Sequence, residues 1–256
     1  MNPSVFLAHI ESDGRLLADR ATLNTAADVP CCPGWSVADL VEHTGVIHRQ
    51  KTLIIDNLLL ENPPLPEPPV ADLLGWYEHG LACLLAVLRA ADPEREVFTW
   101  FAGDKTVRFW FRRMAHETLI HRVDAEQATG DVSLIDPDLA ADGIDEVLTM
   151  YVGGYPDWGT FAPAENTAQI VCTDTPDSWN IRFGRFAGSS PKTGRHHDLD
   201  AFITTDSLPE AGTVVRGRAA DIDLWLWGRG NIDRLQVSGD AGAADRLRAI
   251  CADTMG

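Results

Sequence analysis

Positive charge is scarce in this chain. Against 38 acidic residues stand 21 basic ones, for a net charge of −17, and only Lys51, Lys105 and Lys192 are lysines. Nucleic acids and anionic membrane surfaces both require a basic footprint, so neither is an expected partner. The preference for arginine over lysine follows a GC-rich coding bias and carries no mechanistic weight. No apolar run approaches the length of a membrane span. The opening residues lack the basic stretch and apolar core of a secretory signal, so a cytoplasmic protein is expected. Five cysteines, an odd number with no Cys-x-x-Cys spacing, argue against a thiolate zinc site and against a disulfide framework. Cys31 and Cys32 are neighbours, and a bridge between them would be strained. A Gly-rich phosphate loop and a Gly-x-Ser-x-Gly elbow are missing as well.

What is present supports a real core: 256 residues, 45% of them hydrophobic, suffice for one large domain or two modest ones. The first half reads as helices over residues 5–23, 36–58, 72–91 and 106–129, with a shorter one over 138–151. Ser36-Val37-Ala38-Asp39 is a capping-box signature opening the second helix. Five prolines within residues 61–70 make a stiff connection poor in hydrogen-bond donors. From about residue 164 the period changes. Short β-branched or alternating runs at 169–173, 179–183, 201–205, 214–218 and 235–238 predict strands, with helices at 221–227 and 241–251. The expected fold is α+β: a four-helix bundle over residues 1–155, then a smaller α+β domain over 160–256 with a mostly antiparallel sheet. The hinge is expected in the Gly- and Pro-rich stretch between residues 151 and 165.

The most informative segment is His116-Glu117-Thr118-Leu119-Ile120-His121-Arg122-Val123-Asp124-Ala125-Glu126, two histidines, three carboxylates and an arginine on one helix. At about 100° per residue, Glu117 and His121 share a face, whereas His116 and His121 diverge by about 140°. The spacing therefore excludes the His-Glu-x-x-His arrangement, which needs histidines four apart. Trp110, Met114, Glu117, His121, Asp124 and Ala128 form one row whose other members are core residues. A carboxylate there must be paired, hydrogen-bonded or bound to metal. His43 lies on the apolar stripe of the second helix with Leu40, Ile47, Ile54 and Leu58. With Glu117 and His121 it would make a two-His, one-carboxylate metal set with open positions, which suits catalysis. The alternative makes His43 a satisfied core histidine and pairs Glu117 with Arg112, Arg113 or Arg122; the pattern alone leaves both open. His48 is the second choice for the third ligand. Asp124 is positioned to orient a ligand. His116 is expected on a flank, Glu126 in solvent, His196-His197 in a polar loop, and Cys31 and Cys32 packed beside Trp35.

Pro33-Gly34-Trp35-Ser36-Val37-Ala38-Asp39-Leu40-Val41-Glu42-His43 and the His116–Glu126 segment together resemble the mycothiol-dependent maleylpyruvate isomerase family of actinobacteria. The resemblance continues through Asp142-Gly143-Ile144-Asp145-Glu146-Val147-Leu148, Thr173-Asp174-Thr175 with Trp179, and Leu224-Trp225-Leu226-Trp227-Gly228-Arg229. It implies a DinB-like metal-binding bundle followed by a domain similar to sterol-carrier folds. It also implies that His43, Glu117 and His121 hold a divalent metal, with zinc expected, and that mycothiol is the thiol cosubstrate. Arg229 is the residue the resemblance suggests for binding a substrate carboxylate. The implied chemistry is metal-assisted addition of a small thiol to an electrophile, as an isomerase or an S-transferase. The competing expectation is a non-catalytic small-molecule or lipid carrier with a structural metal site, its pocket lined by Trp158, Trp179, Trp225 and Trp227.

Overall fold

The computed structural model describes residues 1–68, 71–208 and 210–255, so Pro69 and Val70 of the proline-rich connection lie outside the described residues. The chain divides into two compact units, Met1–Leu134 and Ile135–Gly256. No helix among the described residues is long and apolar enough to cross a membrane.

The first unit is a bundle of α1 (Pro3–Ala21), α2 (Val37–Asp56), α3 (Leu73–Ala90) and α4 (Val107–Thr129). The capping box forms as expected: Ser36 Oγ accepts from the Asp39 amide, and the Asp39 carboxylate accepts from the Ser36 amide. Asp72 caps α3 in the same way through the Gly75 amide. Helix α4 is the centre of the unit. Phe109, Trp110, Met114, Ala115, Leu119, Ile120 and Val123 are all buried, and so are the polar residues Arg113, His116, Thr118, His121, Arg122, Asp124 and Glu126. A helix buried on every side is normally apolar on every side. Here several of the polar residues pair with one another or with a neighbouring helix, and two expectations are corrected. His116, expected on a flank, is buried against the edge of Phe6. Glu126, expected in solvent, is fully buried and accepts from Arg122 at 2.7 Å and from the Ser133 amide and hydroxyl at 3.0 and 2.6 Å.

The second unit opens with α5 (Pro137–Glu146), which runs into a π-helical turn, Val147–Tyr151. The strands are β1 (Gly159–Cys172), β2 (Ser178–Ser189), β3 (His196–Thr205), β4 (Thr213–Gly217) and β5 (Gln236–Gly239). They form one sheet in the order β3-β2-β1-β4-β5, antiparallel except for the β1/β4 pair. Helices α6 (Ala219–Leu226) and α7 (Ala241–Met255) complete the unit. Ala168, Ile170 and Cys172 alternate inward along β1 and share a core with Ile181, Phe183, Phe202 and Val215. Ala140, Ile144 and Val147 from α5 and its π turn belong to the same core. The division therefore falls earlier than the 155–160 junction read from the sequence, since α5 buries its apolar residues in the core of the second unit. The first three strands also extend beyond the sequence reading. Thr160 pairs with Ala187 and Ala162 with Arg185, and an irregularity between Pro163 and Thr167 interrupts the ladder. His196 and His197 correspondingly stand in β3 opposite Ser189 and Gly188 rather than in a loop.

Candidate metal centre

Three side chains from two helices of the first unit converge. His43 comes from the first turns of α2, and Glu117 and His121 lie one turn apart on α4. Glu117 Oε1 is 3.4 Å from His43 Nε2 and 3.3 Å from His121 Nε2. One potential ligand atom from each of the three lies within 4.8 Å of the others, and no other such cluster occurs among the described residues. The side chains differ in exposure: His43 is 36% exposed, Glu117 16% and His121 11%. The cluster is therefore held by buried groups on α4 and open to solvent on the His43 side.

Each member is oriented by a further contact. Glu117 Oε2 accepts from Arg113 at 3.0 Å, which leaves Oε1 facing the two imidazoles. His121 Nδ1 lies 3.1 Å from Asp124 Oδ2, so Asp124 fixes the tautomer that presents Nε2 to the cluster. Asp124 thus meets the imidazole one turn before it. His43 packs against His121 on one side and Trp35 on the other, both ring centroids 5.0 Å away. Trp35 is brought there by the turn before α2. Val29 N donates to Trp35 O and Trp35 N to Cys32 O, and Gly34 takes φ +85°, a left-handed conformation that favours glycine. In the same turn the Cys31 thiol meets Gln127 Oε1 at 3.1 Å, and Cys32 lies 3.8 Å from Asp124 Oδ2. Both cysteines are half-buried and dock on α4, one turn past His121, rather than simply packing beside Trp35.

The charges within the cluster balance one another. Burial raises the pKa of Glu117, but hydrogen bonds from His121 and His43 and the charges of His121 and Arg113 overcome it and hold the carboxyl well below its ordinary range. Burial lowers His121 too, and hydrogen bonds to Asp124 and Glu117 outweigh it, raising the imidazole to about 9. Two imidazole nitrogens and one carboxylate oxygen thus face one another. That donor set fits a divalent ion bound with positions left open. His48, the second choice for a ligand, is elsewhere. Its Nε2 is 2.9 Å from Thr118 Oγ1, which itself donates to Met114 O. The imidazole must therefore donate, and its buried Nδ1 has no hydrogen-bond partner. Burial lowers it to about 4.

Two titrations of opposite sign follow. The folded state resists protonating His48, so its contribution is present above pH 6.5 and is lost as pH falls through about 4. The folded state favours protonated His121, so its contribution is complete below pH 6.5 and is lost as pH rises through about 9. In chelator-treated protein these two groups are expected to withdraw stability on opposite sides of pH 6.5. Metal coordination requires neutral imidazole, so loading should abolish the His121 slope on the alkaline side. Urea unfolding across this range with and without metal tests the pattern; equal alkaline slopes in the two states would remove His121 from the ligand set.

Residues 10–126 match the domain family described as the mycothiol maleylpyruvate isomerase N-terminal domain, and residues 138–246 match its C-terminal domain. The chain belongs to the mycothiol maleylpyruvate isomerase family. Two crystal structures of mycothiol-dependent maleylpyruvate isomerase, one of them a histidine-to-alanine mutant, share its fold. Their TM-scores are 0.62 for the mutant and 0.60 for the other, each at 15% identity and covering 94% of this chain and 95% of theirs. No curated protein matches the chain in sequence. The family's N-terminal match spans all three clustered residues, and its C-terminal match begins at α5, in keeping with the place of that helix in the second unit. Arg229 stands in the turn after α6, where its Nη1 donates to Trp227 O at 2.8 Å.

Proposed function

We propose that this family member is a metal-dependent enzyme that activates a small-molecule thiol, mycothiol, for addition to an electrophile, in a reaction of the maleylpyruvate isomerase or thiol S-transferase type. The observation that carries the reading is the approach of two imidazole nitrogens to one carboxylate oxygen in a site half open to solvent. His43, Glu117 and His121 would hold the ion, and zinc suits such a set with open positions. A divalent cation bound there would lower the pKa of a coordinated thiol and keep it as thiolate near neutral pH.

The protein's own groups prepare that site. Glu117 supplies one negative charge, so the centre keeps the net positive charge a thiolate requires. Arg113 holds the second carboxylate oxygen, Asp124 holds the His121 tautomer, and Trp35 forms a wall beside His43. In an isomerisation, thiolate sulfur adds to one carbon of a cis double bond conjugated to a carbonyl. The former double bond rotates as a single bond. The C–S bond then breaks, its electron pair returns to sulfur, and the trans isomer leaves. In a transfer, the adduct takes a proton at the adjacent carbon and is released. Arg229 is proposed as a second functional residue that binds a substrate carboxylate, and five cysteines with no disulfide among them suit a reduced cytoplasmic setting.

The carrier reading is disfavoured by the core of the second unit. Trp225 is buried in it, and Trp179 and Trp227 pack against the same cluster. Metal content by plasma mass spectrometry is expected to come near one equivalent per chain. Thiol-dependent turnover of an electrophile should vanish on chelation and return with the ion. A chain that neither holds nor takes up metal would overturn the proposal.

A further inference from the structure

One turn of the first unit touches both imidazoles of the metal cluster. The main chain of Cys32 is held on both sides: its amide donates to Val29 O at 3.1 Å, and its carbonyl accepts from the Trp35 amide at 3.0 Å. The same turn seats the Trp35 ring 5.0 Å from that of His43. Its two thiols reach α4 at positions three apart, Cys31 Sγ lying 3.1 Å from Gln127 Oε1 and Cys32 Sγ 3.8 Å from Asp124 Oδ2. Both partners are acceptor oxygens, so each thiol is the donor. Asp124 Oδ2 is also the atom that His121 Nδ1 meets at 3.1 Å. Cys32 therefore shares one carboxylate oxygen with a member of the cluster. Cys31 does not: Gln127, six residues beyond His121, is turned about 120° away from it on the helix.

The shared oxygen links the turn to the aim of the imidazole. Asp124 is fully buried, where a carboxylate is costly unless donors meet it. A carboxylate oxygen has room for two donors, here the imidazole and the thiol. They come from different directions, one from the carboxylate's own helix and the other from a turn pinned by main-chain bonds. Rotation of the Asp124 side chain would draw Oδ2 away from His121 Nδ1, and the thiol on its far side opposes that rotation. An imidazole that loses its Nδ1 partner no longer holds Nε2 toward Glu117 Oε1, 3.3 Å away. A thiol is a weak donor, so its effect is smaller than that of Asp124 itself. Alanine at position 32 leaves the turn intact, because the bonds to Val29 and Trp35 use main-chain atoms.

We propose that Cys32 is a positioning residue that holds the Asp124 carboxylate against His121 Nδ1 and so sets the aim of Nε2 in the cluster. The proposal deepens the metal-dependent reading of that cluster and rests on it. Its test is the zinc affinity of the purified full-length chain, read by competition with a chromogenic chelator. Cys32→Ala is expected to weaken zinc binding about 3- to 10-fold, less than loss of Asp124 does. Cys32→Ser keeps a donor and should recover most of the loss. Cys31→Ala removes a thiol of the same turn from a residue off the cluster and should stay within about twofold of wild type. In an Asp124→Ala background, Cys32→Ala should have no further effect. A second measurement needs no metal: the His121 Nδ1 resonance of chelated, 15N-histidine-labelled protein should move in Cys32→Ala and stay in Cys31→Ala. Equal zinc losses in the two cysteine variants, or a Cys32 effect that adds in full to that of Asp124→Ala, would mark a merely structural turn and overturn the proposal. So would wild-type affinity and an unmoved His121 resonance in Cys32→Ala. Zinc bound with Cys32 indifferent fails this proposal alone. A wild type that takes up no zinc fails the metal reading, and the His121 resonance still decides whether Cys32 positions the imidazole.

Discussion

His121→Ala is expected to reduce bound metal from about one equivalent to a small fraction and to lower thiol-dependent turnover about a thousandfold or more. The substitution removes one of the two imidazole nitrogens facing Glu117 Oε1 and leaves two donors, too few for a stable catalytic site. It also deprives the fully buried Asp124 of its imidazole partner. Asp124→Asn gives the graded comparison. It keeps all three ligands but disturbs the hydrogen bond that orients His121, and should weaken metal binding about 10- to 100-fold. Saturating metal should then restore turnover to the Asp124 variant and not to the His121 variant. Mass spectrometry for metal and a single thiol-plus-electrophile assay measure both effects. A His121→Ala protein that keeps its metal would remove the residue from the site.

Arg122→Ala is expected to cost about 3–5 kcal/mol of stability, a large share of the ~5–15 kcal/mol typical of a domain. Arg122 is 1% exposed and joins three parts of the bundle. Its Nη1 donates to Glu126 at 2.7 Å and to Ser133 O at 3.2 Å, and its Nε lies 3.4 Å from Asp13 on α1. Removing the guanidinium takes a cation from beside two buried carboxylates in low dielectric, so the loss exceeds that of the hydrogen bonds themselves. The melting temperature should fall by roughly 10 °C or more. The metal cluster faces another side of α4, and the fraction still folded should bind metal as the wild type does. Thermal unfolding monitored by circular dichroism decides it: a shift of only a degree or two would mean that water or a neighbouring cation replaces Arg122.

The helical half was legible because its information is local. The capping box at Ser36, the caps before α3 and α5, and Gly130 after α4 mark boundaries through residues only a few positions apart. Glu117, His121 and Asp124 share a face for the same reason, since helix geometry alone brings residues three and four apart together. The α+β character and the mostly antiparallel sheet followed from the change of hydrophobic period. The outer parts of β1 to β3 did not follow. Residues 159–163 contain Gly159 and Pro163 and carry no clean alternation, and they form a strand because β2 supplies the ladder.

By itself, then, the sequence determined the helices, the sheet type and that Glu117, His121 and Asp124 share one face of α4. The tertiary structure alone decided how those buried polar groups are paired. It set His43 of α2 against Glu117, drew Glu126 inside by surrounding it with Arg122 and Ser133, and docked Cys31 and Cys32 on α4. It assigned α5 to the core of the second unit. The physical reason is common to all of these. Periodicity states that a residue faces inward, whereas the free energy of a buried charge depends on the partner that meets it from another element.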